Sequence, residues 1–255
     1  MRISNYVKAG TWFFALSIIA LGIIHEVTQN FPTALLPVPT SLPIRIAFVN
    51  ITGVILTVAG ILMLTKKYKL QGAYFAGTIF ILMLLLVHIP KLLSDVHNPG
   101  GWTPMFEVVG LLAGTFLLAG NFDHVKNSRF KLLTTGRYLF ASALLVFAVQ
   151  HYLYTQFIGT LIPSWIPVHI FWATLVTVAF IAAAVSLIIK VQVRLTGLLL
   201  AAMFLIWFLI LHIPRVEMNS KTETEWTSLF IVLAMAGVSL LLAAKSKNSP
   251  IDIKI

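Results

Sequence analysis

Histidines are the residues of this sequence best able to do chemistry, and they recur in a pattern. The tripeptide His-Ile-Pro occurs at His88 and again at His212, each time at the end of a long apolar run. A cation follows each block, Lys91 in the first and Arg215 in the second. An imidazole is a common metal ligand and carries protons near neutral pH. The two blocks are therefore the first candidates for a functional site.

Both blocks belong to a longer internal match between the halves of the chain. The matching residues are 126 positions apart upstream of the His-Ile-Pro block and 124 positions apart within and beyond it. The matched pairs are His25/His151, Phe31/Phe157, Leu35/Leu161 and Pro37/Pro163 at the first offset, and His88/His212, Lys91/Arg215 and Trp102/Trp226 at the second. This pattern predicts a tandem duplication with a two-residue deletion before Pro167.

The composition predicts that lipid surrounds most of the chain. Of the 255 residues, 59% are hydrophobic and only 10% are charged, which is too apolar for a soluble domain. About 20 apolar residues are needed for a helix to cross the hydrocarbon core. Eight such segments can be drawn: Gly10–Val27, Ile44–Thr65, Gly72–Leu92, Pro104–Gly120, Tyr138–Tyr154, Val168–Ile189, Leu195–Ile213 and Trp226–Ala244.

The net charge of +10 indicates topology more than it indicates a partner. Fourteen of the 18 lysines and arginines fall on one side of the predicted membrane. These are Arg2, Lys8, Lys66, Lys67, Lys69, Lys126, Arg129, Lys131, Arg137, Lys190, Arg194, Lys245, Lys247 and Lys254. The positive-inside rule then places both termini in the cytoplasm. No basic domain stands outside the membrane, so the lipid bilayer is the predicted partner and nucleic acid is not.

These segments predict an all-α polytopic membrane protein whose eight transmembrane helices form two four-helix repeats. We assign the first repeat to residues 1–120, a basic cytoplasmic linker to 121–136 and a diverged second repeat to 137–255. Four spans per repeat make the repeats parallel, with a pseudo-axis along the membrane normal. On the outer side, the Pro-punctuated stretches Asn30–Pro43 and Gln156–Pro167 are predicted to be irregular segments folded onto the bundle.

The four-helix unit resembles the DoxX-like family of bacterial membrane proteins. The resemblance rests on Gly22-Ile23-Ile24-His25, Phe31, Leu36-Pro37-Val38-Pro39, Leu42-Pro43, Gly53 and Ala59-Gly60-Ile61-Leu62. It implies a helical bundle in the bacterial inner membrane, working beside a membrane or periplasmic redox partner. The broader family includes subunits associated with quinol-linked oxidoreductases and relatives that support thiol oxidation. This chain has no cysteine, so the thiol role cannot be transferred.

We predict that the outer end of the first repeat is the functional pole. His25 and His88 fall at similar depth there, and Glu26 and Glu107 add carboxylates that the second repeat replaces by Tyr152 and Ile231. The candidate binding residues are His25, Glu26, His88, Lys91 and Trp102, with His151, His212, Arg215 and Trp226 as pseudo-equivalents.

Each candidate has a structural alternative. The histidines could hydrogen-bond neighbouring helices, bind a quinone or another small ligand, or hold a metal ion through His25 and His88. Lys91 and Arg215 could bind an anionic group or pair with an acid such as Asp95 or Glu217. The two tryptophans suit an aromatic belt as well as ligand stacking.

Three functions fit the sequence. The first is a membrane component of a quinol-linked or other redox system. The second is a transporter or lipid-handling protein, and the third is a non-catalytic assembly subunit of a membrane complex. The sequence does not name a catalytic residue or establish that the protein is an enzyme.

Overall fold

The computed structural model describes residues 5–38 and 45–244, and all regular structure in these ranges is helical. Eight of the nine helices there are long and apolar enough to cross a membrane, which confirms the predicted all-α membrane fold. The helices are α1 Asn5–Thr28, α2 Arg45–Leu64, α3 Lys69–Ser94, α4 Pro99–Phe122, α5 Lys126–Leu153, α6 Thr155–Leu161, α7 His169–Ile189, α8 Val193–Met218 and α9 Glu223–Leu242. The helix that is too short to cross a membrane is α6.

The centre of the bundle is formed by α4 and α9, the two most buried of the long helices. They contact each other, while α1 packs along α9 and α5 packs along α4. Small residues allow both lateral pairs to approach closely. A Cβ on Gly10 would lie 2.8 Å from the carbonyl oxygen of Gly237, and one on Gly136 would lie 3.0 Å from that of Ala113.

Both His-Ile-Pro blocks produce the same local distortion. Residues Leu84–His88 in α3 and Phe208–His212 in α8 are π-helical. The amide of Ile89 donates to the carbonyl of Leu84, five residues back. Proline cannot donate an amide hydrogen and its ring crowds the preceding turn, so the helix widens just before it and then continues.

The predicted linker is mostly helical, which corrects the sequence assignment. Helix α5 begins at Lys126, so the connection between α4 and α5 is only three residues long. The Asp123 carboxylate accepts the Val125 amide at 2.8 Å at the start of α5. Arg137, predicted in the loop, lies within α5, where its side chain is buried and donates to the carbonyl of Leu187.

The two outer connections differ in structure. The described part of the first, up to Val38, contains no helix and turns at Pro32, whose carbonyl accepts the amides of Leu35 and Leu36. In the second connection the prediction of an irregular segment is wrong for residues 156–161, which belong to α6. No proline interrupts that stretch before Pro163, so a helical turn can form. The rest of the Asn30–Pro43 prediction lies outside the described residues.

Candidate functional site

Two regions at the end of the bundle opposite the start of α1 carry the matched histidines. We call the first the closed pole, formed by His25 and His88 with the segment Phe31–Val38 over them. We call the second the open cavity, which is lined by residues from α4 to α9 and contains His151 and His212. They occupy matching positions in the sequence but differ in what covers the histidines.

In the closed pole, His25 is fully buried. Its Nδ1 lies 2.7 Å from the carbonyl oxygen of Leu21, which can only accept, so Nδ1 is the donor. The ring of Phe31 packs edge-on against the imidazole, with ring centroids 5.8 Å apart. Arg45 lies over this phenyl ring, with its Cζ 5.7 Å from the ring centroid, and donates to the Asn30 side chain. The interaction between His25 and its own helix satisfies only one of the two ring nitrogens.

His88 is buried under the same segment. It contacts the backbone of Leu35, and the side chains of Leu35 and Leu36 are both buried against the bundle. The Nε2 atoms of His25 and His88 have no hydrogen-bond partner among the described residues. The closed pole therefore contains two imidazoles with free nitrogens, but apolar side chains occupy the space beside them.

Of the other predicted residues of the first pole, Glu26 lies beside His25, because a Cβ on Gly53 would meet Glu26 Oε1 and would lie 3.0 Å from His25 Cβ. Glu26 faces Gly53, where its Oε1 lies in the seam between α1 and α2. Lys91 is exposed and has no ion-pair partner within the described part of the chain. The Trp102 indole donates to the carbonyl of Val96 at 3.2 Å, an arrangement that clamps the loop before α4. Glu26 thus adds a carboxyl group beside His25, whereas Trp102 holds the loop before α4.

The open cavity has a volume of about 710 Å³ and an almost entirely apolar wall. Such a volume matches that of typical small-molecule sites. Aromatic side chains contribute much of the lining: Tyr154, Phe157, Trp172, Phe180, Phe204 and Trp207. The cavity lies where α7 and α8 make fewer contacts with each other than either makes with its other long-helix neighbour.

Two histidines, one amide and one carboxyl group are among the polar side chains that line this apolar space. His151 donates from Nδ1 to the carbonyl of Phe147 at 2.9 Å, as His25 does to Leu21, and its ring packs edge-on against Phe180. His212 contributes a buried Nδ1 without a hydrogen-bond partner in the described residues. Gln150 donates from Nε2 to the carbonyl of Pro99 at 2.8 Å.

Two of these polar groups supply unused acceptors. Gln150 Oε1 is buried without a partner in residues 5–38 and 45–244. The fourth group, Glu107, also lines the cavity, and no hydrogen bond or ion pair to it is found in the same ranges. We expected Glu107 beside His25 and His88, whereas the structure places its carboxyl in the cavity of the other half. The carboxyl and amide oxygens give the cavity a polar end suited to a hydroxyl donor.

The counterpart of Phe31 explains why this side is open. Phe31 is only 7% exposed in the closed pole, whereas Phe157 is 62% exposed. Because α6 is helical, it holds Phe157 and Leu161 on the cavity wall and does not fold them over the histidines. A proline-rich segment closes one side, and a helical segment leaves the other side open.

The remaining pseudo-equivalents lie near the cavity rim. Arg215 makes a two-pronged ion pair with Glu225, with nitrogen–oxygen distances of 2.8 and 2.7 Å. The sequence offered pairing with a neighbouring acid, such as Glu217, as one alternative for Arg215; the structure pairs it with an acid, but with Glu225. Trp226 donates to the carbonyl of Ser220 at 2.8 Å, at the position that matches the Trp102–Val96 bond. Both tryptophans therefore brace a loop against a helix start.

Sequence reasoning missed Gln150, although a signal was present. An amide next to a histidine within a long apolar run is costly unless it is hydrogen-bonded, as Gln150 is to Pro99. Within the described ranges, no cluster of three or more His, Asp or Glu side chains is arranged to hold a metal ion. No family model, curated protein or solved structure matches this chain.

Proposed function

We propose that this protein binds a lipid-soluble molecule with a hydroxyl-bearing ring in the open cavity. A quinol is the chemical class that fits best. The observation that carries the proposal is the combination of a large apolar cavity with the unpartnered Nδ1 of His212 and Oε1 of Gln150. On this view the protein is a DoxX-like membrane component that serves a quinol-linked or other redox system.

The chemistry of the lining supports a ring that carries hydroxyl groups. Gln150 Oε1 can only accept a hydrogen bond, and a neutral imidazole can accept at one nitrogen. An unpaired carboxyl in apolar surroundings, as at Glu107, is also stabilised by a donor. Phe204 and Trp207 present flat apolar surfaces to the cavity, and these suit a ring and the first part of a hydrocarbon tail.

Intrinsic fluorescence can test this proposal, because Trp172 and Trp207 line the cavity. The purified protein is titrated with a short-chain benzoquinone, which quenches indole emission on contact, and its quinol then competes for the site. We expect saturable quenching that is lost in the Trp172→Phe/Trp207→Phe variant. The matched control is Trp102→Phe/Trp226→Phe, whose indoles brace loops, and it should keep most of the saturable signal. Quenching that never saturates would contradict the proposal.

A lipid-handling role is the second candidate, favoured by the apolar wall and by the sparse packing between α7 and α8. A phospholipid would enter such a cavity by its acyl chain and would not depend on hydroxyl donors. The quinone titration separates the two functions. A cavity that binds lipid and ignores both quinone and quinol would favour lipid handling, whereas an assembly subunit would bind neither.

The arrangement of the two halves and the orientation in the membrane belong to the same proposal. Matched positions make matched contacts at Gly10/Gly237 and Gly136/Ala113, which supports two parallel repeats. The cation asymmetry supports cytoplasmic termini in a bacterial inner membrane. Since the chain has no cysteine, single cysteines can report sidedness. Ser220→Cys should react with an impermeant reagent from outside and Lys67→Cys should not, and the reverse would overturn this orientation.

A further inference from the structure

A second cavity lies at the opposite end of the bundle, where α1 begins and α2 and α4 end. Its volume is about 570 Å³. Among the described residues, four cationic side chains line it, together with His124 and one acid, Asp123; the four are Lys8, Lys66, Lys69 and Arg129. None of these four cations has an ion-pair partner among residues 5–38 and 45–244. None of these charged side chains lines the open cavity.

Asp123, the one acid that the described part of the chain contributes to this cavity, is already engaged. The Ser128 hydroxyl and the Val125 amide hydrogen-bond the Asp123 carboxyl and hold its pKa below the usual value. Asp123 is therefore ionised at neutral pH and serves the start of α5. Lys69 is likewise fixed, since its ammonium donates to the carbonyl of Met63 at 2.6 Å and lies over the Phe122 ring. Lys8, Lys66 and Arg129 remain to meet an anion.

We propose that this inner cavity binds a phosphate-bearing anion, the headgroup of an acidic phospholipid. Lys66 approaches the space from the connection between α2 and α3 and Arg129 from the start of α5, so a phosphate could bridge them. Leu64 and Trp12 supply apolar wall, and Trp12 is exposed on the outer surface of the bundle, as a site reached from lipid requires. Basic pockets between transmembrane helices suit such headgroups.

The other half of the chain does not offer the same space. Thr11 lines the inner cavity, and the residue 126 positions later is Arg137. The Arg137 side chain is buried and donates to the carbonyl of Leu187, the residue that matches Met63. In the first half, the ammonium of Lys69 makes the corresponding bond to Met63. One buried guanidinium in the second half thus occupies a position where the first half has a threonine and an adjoining cavity.

The test compares two charge-matched variants of the full chain in neutral detergent. Lys66→Gln/Arg129→Gln removes two cavity cations, and Lys126→Gln/Lys131→Gln removes two cations outside the cavity at the same end. Each protein is titrated with short-chain phosphatidylglycerol, phosphatidylcholine and inorganic phosphate, and binding is followed by native mass spectrometry. Melting temperatures confirm that both variants are folded.

We expect phosphatidylglycerol to bind more tightly than phosphatidylcholine, and the cavity variant to lose about tenfold in affinity. The control variant should stay within about twofold of the parent protein. Asp123→Asn should bind more tightly, because a negative charge leaves the cavity. Equal losses in both double variants, or no preference for the acidic lipid, would overturn the site. Saturable binding of inorganic phosphate that depends on Lys66 and Arg129, and with which lipid does not compete, would support the anion site with a soluble phosphate as its ligand.

Discussion

The closed pole and the open cavity have the same histidine pattern and opposite access. In each, an imidazole donates from Nδ1 to the carbonyl four residues earlier, and a second imidazole ends a π-helical segment. In the closed pole, Phe31 and Leu35 cover these rings. In the open cavity, Phe157 is held away on α6. The histidines are therefore a shared framework, and the connection above them decides whether a ligand can enter.

The difference lies in the backbone chemistry of two short segments. Pro32 and Pro37 prevent a helix after α1 and make the chain turn back onto the bundle. The match to Pro37 is Pro163, but the stretch before it forms a helix because no proline corresponds to Pro32. Two regions with matched histidines thus differ in cavity space because the connections above them differ.

The largest effect is expected from filling the open cavity. Ala173 lines it, so Ala173→Phe should occupy ligand volume and weaken quinone binding by about 100-fold or more. The matched position, Val49, is fully buried in the closed half. Val49→Phe should overpack that side and lower stability by about 1–3 kcal/mol without changing affinity. Fluorescence titration and thermal unfolding of both variants check this. Unchanged quinone binding by Ala173→Phe would contradict binding in the open cavity.

Shortening the side chains that cover the histidines of the closed pole should give a ligand access to them. Leu35→Ala removes a buried side chain beside His88 and should lower stability by about 2–5 kcal/mol. Leu161, the matched residue, lines the open cavity, so Leu161→Ala should cost less. Combining Leu35→Ala with Leu36→Ala should raise quinone stoichiometry from one toward two per chain. Equilibrium dialysis measures the stoichiometry, and a value that stays at one would mean that the segment is not what excludes ligand.

Replacing His88 or His212, the histidine of each His-Ile-Pro block, should separate effects on ligand affinity from effects on stability. His212→Leu removes an unpartnered polar atom from the cavity and should weaken quinol binding about tenfold with little loss of stability. His88→Leu removes a contact with the Leu35 backbone and should lower stability by about 1 kcal/mol while affinity is kept. The pair of measurements is affinity beside melting temperature. Loss of affinity in His88→Leu alone would return the site to the first half, as the sequence predicted.

The smallest difference between the two regions is expected in the stability effects of the cations that follow the His-Ile-Pro blocks. Glu225→Gln breaks the two-pronged pair with half-buried Arg215 and should lower stability by about 1 kcal/mol. Lys91→Gln neutralises the matched cation, which has no ion-pair partner in the described residues, and should change stability by less than about 0.5 kcal/mol. High salt should weaken the first effect. Equal costs for both changes would show that the two blocks are stabilised alike.

The sequence predicted the membrane helices because twenty-residue apolar runs leave few alternatives. It also singled out His151 and His212, although only as counterparts of His25 and His88. The open cavity could not be predicted, because its existence depends on whether residues 155–161 form a helix or fold back over the histidines. The local sequence pattern does not decide between these two conformations. The predicted position of Glu107 was wrong and Gln150 was missed for a related reason, since both positions depend on how α4 and α5 rotate against the other helices.

Photolabelling would locate the ligand most directly. The purified protein is irradiated with a photoreactive short-chain benzoquinone, digested, and mapped by mass spectrometry, with excess unlabelled quinone as competitor. We predict competed adducts on the open cavity wall, at Phe157 or Ile158 in α6 and at Phe204 or Trp207 in α8. Competed adducts on residues 31–38, with none on α6 or α8, would contradict the assignment of ligand binding to the open cavity.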